Sequence, residues 1–398
     1  MLKKLNLLLW IYMAFLFCFS EMLAIYVPKM GLRILYILVC ILVIVFCRYY
    51  PRRKIDALIF VYFGYMCLRF ILQAIFGELT GASTISCLQT VVPVLVYFAA
   101  MRLDSNQTCI VERYFCFFCS VSIVLGILNK AFSFLPSIGA FAGGLYASTG
   151  SGYVERGYSM AGNALNTGYM SALAIGFLLS QKWGKVKIIR IIMIAVCALG
   201  LALSYSRGAM VCALIIIGAY VYRGVKQKEI IITKNKLIIF MAIFLLGCII
   251  TIVKFDSISA SPIFQRFIKQ LMNMGEASNE KRYMFITNAM VAFKQKLFLG
   301  YGFGYCGYQA TINNVRNVIN TESYILSLGI VGGIVAIVLF LAINIYAFKS
   351  YKKNGEMHYH AIIAGILVWC FAYIVLDSDI TALFYWYCIG RIFKLNTM

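Results

Sequence analysis

From end to end the chain repeats one feature, an apolar stretch of about 20 residues followed by a short polar break. Such a stretch is long enough for one helix to cross hydrocarbon, where every backbone N–H and C=O must find its partner inside the protein. A succession of them can form a helical bundle and little else. Spans are expected at Leu5–Val27, Leu32–Phe46, Ile55–Phe76, Cys87–Met101, Tyr114–Leu128, Ala164–Ser180, Ile188–Ser204, Gly208–Tyr222, Leu237–Val253, Tyr324–Phe348, Ala361–Leu376 and Thr381–Ile392. Composition agrees, with 63% hydrophobic and 13% charged residues and a mean hydropathy of +0.87. The expected fold is an all-α integral membrane protein of about 12 transmembrane helices, a single polytopic domain over 1–398. A medium extracytoplasmic loop is expected at 129–163 and a long one at 254–323, before helix 10. Lys3-Lys4 ahead of the first apolar run resembles the start of a signal peptide. The run is too long for one and lacks a small-residue cleavage site, so a retained span is expected.

A net charge of +22 would suit nucleic acid if the basic residues were clustered, but they lie in short groups between apolar runs. Assigned to alternate sides of the bilayer with both termini inside, 22 Lys and Arg fall on the inner side and 5 in the short and medium outer loops. That is the bias of a multi-pass cytoplasmic (inner) membrane protein, and no nucleic-acid partner is expected. The medium loop, the Tyr205-Ser206-Arg207 turn, the long loop and the Asp377-Ser378-Asp379 turn then face outward. Both histidines, His358 and His360, face inward. Nine of the 14 cysteines, Cys116 and Cys119 among them, sit inside apolar runs, and Cys306 is the one in the long loop. Neither a disulfide framework nor a metal site follows from that distribution.

The long loop carries the largest polar interval of the chain. Asn279–Phe298 reads as a helix suited to the bilayer surface, with Met284, Phe285, Ala289, Ala292 and Phe293 opposite Lys281, Asn288 and Gln295. Gly300-Tyr301-Gly302-Phe303-Gly304 mimics part of a dinucleotide fingerprint but follows no strand, and a tight loop is expected. Arg207 joins two spans with almost no loop, so it snorkels to the surface or faces a polar cavity. Glu322, just before Tyr324, suits the positive end of a helix as a cap, and Asp377 and Asp379 suit a surface turn. Arg69, well inside the third span, is a functional candidate by its depth alone.

Ser204-Tyr205-Ser206-Arg207-Gly208-Ala209 ends one span, and Arg282 opens the loop helix. Leu299 to Gly304 follows, and Glu322-Ser323-Tyr324-Ile325-Leu326 leads into Gly329-Ile330-Val331-Gly332-Gly333. In order, spacing and sidedness this set resembles the O-antigen ligase and polymerase superfamily of bacterial surface-polysaccharide enzymes. The resemblance implies a helical membrane glycosyltransferase of about twelve spans. It would use polyprenyl-pyrophosphate-linked oligosaccharide at the outer face of the cytoplasmic membrane, with the lipid bilayer, a chain-length regulator and a flippase as partners. Ligases of the superfamily carry a histidine before the span that follows the long loop; here that place is Glu322, and no histidine lies outside. The difference favours a polymerase of repeat units.

Glycan transfer from a polyprenyl pyrophosphate needs stabilisation of the departing pyrophosphate and a base near the attacking hydroxyl. The family-matched positions are Arg207 and Arg282 for the first and Glu322 for the second. Arg69, Arg156 and Arg266 support them as phosphate-binding candidates, with Asp377 and Asp379 as reserve carboxylates. Arginine grips phosphate through paired hydrogen bonds, so no metal or other cofactor is expected. Tyr146, Tyr153, Tyr158, Tyr301, Tyr305 and Tyr308 could bind sugar. The alternatives are ligase-type transfer to another acceptor, and a transporter or flippase. The last predicts charges distributed through the spans, which are nearly uncharged apart from Glu21, Arg69 and residues near span ends.

Overall fold

The computed structural model describes residues 2–26, 38, 41, 53–135, 146–149, 152–155, 157–162, 164–180, 187–204, 206–226, 277–307, 318–350, 357–372, 376 and 379–395. The expected span Leu237–Val253 lies outside them, as does Leu32–Phe46 except for Leu38 and Ile41. The apolar runs within them are helices: α1 (Leu2–Cys18), α2 (Ser20–Tyr26), α3 (Lys54–Ile75), α4 (Gly81–Ala100), α5 (Ser105–Phe132), α6 (Ala164–Ser180), α7 (Lys187–Leu203), α8 (Arg207–Lys226), α9 (Ala277–Gln295), α10 (Tyr324–Lys349), α11 (Met357–Ala372) and α12 (Asp379–Leu395). Of the described helices, α3, α4, α5, α8 and α10 are long and apolar enough to cross a membrane. Shorter apolar helices lie at Lys4–Cys18, Ala164–Ser180 and His358–Phe371.

Polar residues ahead of the expected span starts at Cys87 and Tyr114 set where α4 and α5 begin. Asp104 and Gln107 cap α5 reciprocally, each side chain accepting from the other's backbone N–H at 2.8 and 3.1 Å. Thr80 and Ser83 do the same for α4, satisfying donors that have no partner within the helix. Pairwise packing builds the bundle. α8 lies against α6 and α11, α12 against α4 and α11, α5 against α1 and α6, and α10 against α3 and α9.

Three expectations need correction. The fold is not entirely helical, because Tyr146–Thr149 and Gly152–Glu155 (β1 and β2) pair antiparallel as a hairpin within the medium loop. The first span is not one rod: α1 and α2 part at Phe19, and the N–H groups of Glu21 and Met22 both donate to the Met160 carbonyl, at 3.1 and 3.2 Å. The span expected at Tyr324–Phe348 is not straight either. At Gly332 (φ −130°, ψ 15°) and Gly333 (φ 65°, ψ −165°) the backbone of α10 leaves the helix and makes an elbow. Tyr324 and Phe340 would stand about 24 Å apart along a continuous helix, yet their ring centroids are 5.7 Å apart. Gly329 likewise faces Ile337 across the bend. The arms 324–331 and 334–349 therefore close on each other. Hydropathy records how apolar a run is and carries no information about a bend within it.

Buried residues on α3 are Ile55, Asp56, Ile59, Tyr62, Met66, Arg69 and Gln73, a seam repeating every three or four positions. The seam faces the protein, so Arg69 and Gln73 point into the bundle and not toward lipid. The hydrophobic core runs without a break from Trp10 and Phe17 on α1 to Tyr387 and Phe393 on α12.

Candidate functional site

The elbow frees backbone groups that α10 would otherwise satisfy, and the glycine loop after α9 takes them up. Tyr301 N–H donates to Ile330 C=O at 2.6 Å and Gly302 N–H to Val331 C=O at 3.1 Å, while Ile334 N–H donates to Leu297 C=O at 2.7 Å. Gly300, Gly302 and Gly304 all have positive φ (67°, 104° and 83°), so the tight loop expected from the sequence is present. A Cβ on Gly300 would press on the carbonyl of Ile330, and one on Gly333 would overlap that of Phe298.

α3 holds the loop from the other side. The Tyr65 hydroxyl donates to Gly332 C=O at 2.6 Å. One turn further, the Arg69 Nη2 approaches Gly300 C=O at 3.5 Å. Gln73, a turn beyond, uses both ends of its amide on residue 303: Oε1 accepts from Phe303 N–H at 2.9 Å, and Nε2 donates to Phe303 C=O at 2.9 Å. Tyr65, Arg69 and Gln73 thus form one ladder on α3. Unwound backbone is tolerated at membrane depth where protein supplies its partners, and here it does.

The first arm of α10 carries Glu322 at its root. Ser323 occupies the N-cap position but makes no capping bond; its hydroxyl donates instead to Cys370 C=O on α11, at 3.3 Å. Thr321 is buried, and its hydroxyl has no partner among the described residues. Glu322 between them is partly exposed. The buried side chains of Tyr324 and Tyr62 face each other, where α10 packs on α3.

Arg207 opens α8 with its side chain exposed. Ser206 beside it is buried and caps the helix, its Oγ accepting from Ala209 N–H at 3.4 Å. Gly208 packs so closely on Trp369 of α11 that a Cβ there would overlap the indole ring. Trp369 and Cys370 are consecutive, so the neighbours of Arg207 and Glu322 meet the same turn of α11. A guanidinium in the first turn of a helix adds its charge to the positive end of the dipole, which makes that end attractive to anions.

The remaining sequence-predicted residues are placed less completely. Arg282 lies in α9 with its backbone described. α9 packs on α10 through Phe293 against Gly329, and Arg282 stands about 16 Å further back along the helix axis. Asp379 opens α12, again with only its backbone described. Arg156, Arg266 and Asp377 lie outside the described residues, as do Tyr308 and the side chains of Tyr146 and Tyr153. Tyr158 is buried against Asn129, which removes it from any sugar-facing surface. Tyr301 and Tyr305 do form a pair, ring centroids 5.8 Å apart, with Lys296 Nζ 4.6 Å above the Tyr301 ring. Burial, with the Glu78 carboxylate adding to it, pushes the Tyr305 hydroxyl above its ordinary pKa, so it remains a neutral hydrogen-bonding group. The face expected on α9 is largely present, with Ala289 buried and Phe285, Ala292 and Phe293 partly buried, whereas Met284 is exposed. Tyr65 and Gln73 belong to no motif in the sequence. Their spacing of four residues on either side of Arg69 was the signal.

No curated protein matches the chain. Residues 191–341 match the family model described as O-antigen ligase, and on that match the chain is similar to the O-antigen ligase and polymerase superfamily, whose membrane proteins act on lipid-linked glycans.

Proposed function

We propose that the protein polymerises lipid-linked oligosaccharide repeat units into a surface polysaccharide, an O-antigen, capsule or exopolysaccharide. The transfer takes place at the outer face of the cytoplasmic membrane, with both termini cytoplasmic. One observation carries the reading: the O-antigen ligase match at 191–341 includes Arg207 and Glu322, and their neighbours Gly208 and Ser323 meet α11 at Trp369 and Cys370. A phosphate-gripping cation and a carboxylate are thereby held on one scaffold.

In the proposed reaction the acceptor hydroxyl oxygen attacks the anomeric carbon of the donor sugar. That C–O bond forms as the bond from the anomeric carbon to the diphosphate oxygen breaks, and the hydroxyl proton passes to the Glu322 carboxylate. The polyprenyl diphosphate leaves with the bonding electrons, its charge held by Arg207 and Arg282. Arg156 and Arg266, with Asp377 and Asp379, complete the proposed substrate-binding set alongside Arg69. The chemistry is metal-independent, since guanidinium groups supply the positive charge. Glu322, standing where ligases of the superfamily carry histidine, favours polymerisation over ligation.

The test is purified protein in liposomes supplied with lipid-linked repeat units. A ladder of lengthening glycans is expected on a gel. A single transfer to an acceptor without a lipid carrier, and no ladder, assigns the protein to ligation. Movement of units across the bilayer without transfer assigns it to transport.

A further inference from the structure

We infer that Arg69 binds a second lipid-borne diphosphate, the one carried by the acceptor, on the opposite side of Glu322 from Arg207. This assignment rests on the polymerase reading, since only an acceptor that is itself lipid-linked brings a diphosphate of its own.

Arg69 is 7% exposed. Arginine offers five N–H donors. Here Nη2 makes one long contact to Gly300 C=O at 3.5 Å, and Nε has no partner among the described residues. Arg391, also buried and with its Nε unpartnered among the described residues, still donates Nη1 to the carbonyls of Ala100 and Leu103 at 3.2 and 2.7 Å, and the buried carboxylates are each met by more than one donor. Asp56 accepts from Arg53 at 3.2 Å and from the Tyr97 hydroxyl at 2.6 Å, and Glu112 accepts from the hydroxyls of Tyr359 and Tyr387. A charge withdrawn from water without an ion or a set of hydrogen bonds is strongly disfavoured. Arg69 therefore calls for an anion that the described protein does not supply.

Depth and shape narrow the choice. Arg69 lies six residues before the outer end of α3, about 9 Å along the helix axis, on the seam that faces the protein. An anion carried on a lipid reaches that level without leaving the bilayer, and the planar guanidinium fork matches paired phosphate oxygens. Position relative to Glu322 then separates donor from acceptor. The root of the first α10 arm is tied to α11 through Ser323 and Cys370, beside Gly208 and Arg207. α10 also packs on α3, where Tyr62, facing Tyr324, stands two turns from Arg69 on the same buried seam. The root that carries Glu322 thus lies between two arginine-bearing corners. The uncapped start of that arm and the Thr321 hydroxyl, without a partner among the described residues, leave further donors at the same place.

The test compares two acceptors with the same repeat unit in liposomes of zwitterionic lipid, one on polyprenyl diphosphate and one as a neutral lipid glycoside. Wild-type protein is expected to prefer the diphosphate acceptor in kcat/KM. In Arg69→Gln the preference should shrink at least about tenfold, the scale of one lost charge-assisted contact, mainly through KM, and Arg69→Lys should restore part of it. Thermal melts establish that each variant is folded; should the glutamine variant not fold, the lysine variant carries the comparison. An unchanged preference in the variants places Arg69 elsewhere. So does a preference restored by anionic phospholipid, which would make the anion a bilayer headgroup. Wild-type protein that extends both acceptors equally removes the Arg69 assignment alone. Wild-type protein that extends neither removes the polymerase reading itself.

Discussion

Glu322 and Arg207 each have an ordinary explanation that one substitution separates from the catalytic one. If Glu322 takes the acceptor proton, Glu322→Gln should lower the rate of chain extension about 100-fold or more at an unchanged protein level, because the amide keeps size and some hydrogen bonding but cannot take up a proton. If its role is to favour the positive end of the first α10 arm, the same change costs roughly 1 kcal/mol of local stability and leaves the ladder of products intact. Arg207→Lys keeps a cation at the start of α8 and loses the paired hydrogen bonds to phosphate. An extension rate lower by about tenfold or more is expected, whereas full activity of the lysine variant returns Arg207 to anchoring. Gln73 is a different case, since its amide satisfies both the N–H and the C=O of Phe303. Gln73→Leu leaves two buried backbone groups without partners, at about 1–3 kcal/mol each, and should lower the melting temperature measurably.

The elbow of α10 and the glycine loop after α9 form one element in two pieces. Gly333 sits at φ 65°, and a side chain there meets the Phe298 carbonyl. Gly333→Ala should therefore cost about 3 kcal/mol or more by backbone strain and overlap combined. A thermal melt checks this, and a melt like that of wild type would mean that the arms do not close as described. Part of this element was legible in the sequence. The Gly300–Gly304 cluster announced a tight loop, and the Gly332-Gly333 pair belonged to the motif that carried the resemblance. The closing of the arms was not legible, because an apolar count gives the same value for a straight span and for a folded one. The same count extended the first span across Phe19, where the Met160 carbonyl draws the backbone aside. For α3 only the depth of Arg69 was legible; because apolar residues lie all round the helix, the seam that holds Arg69 and Gln73 emerges from burial alone, and the loop explains it.

At the scale of the molecule, the arrangement of Lys and Arg predicts both termini and the Arg223 to Lys236 segment inside, with the long loop outside. Reporter fusions at those three places and within 254–323 check this, and a cytoplasmic long loop would remove every site assignment at once. The Gln73 to Phe303 pairing also has a consequence for how the protein is made. The two residues are 230 positions apart, so at a ribosome adding about 5–20 residues each second, α3 leaves the translocation machinery some tens of seconds before its partner loop exists. During that interval it holds a guanidinium and an amide in hydrocarbon, a combination that inserts poorly by itself, an arginine costing about 2.5–3.5 kcal/mol at mid-helix. α4, synthesised next and packed on α3, is the earliest described helix after α3 able to shelter it. The part of the site that forms first is thus the last to be completed, and slowing or pausing synthesis before residue 300 should expose α3 to quality-control proteolysis.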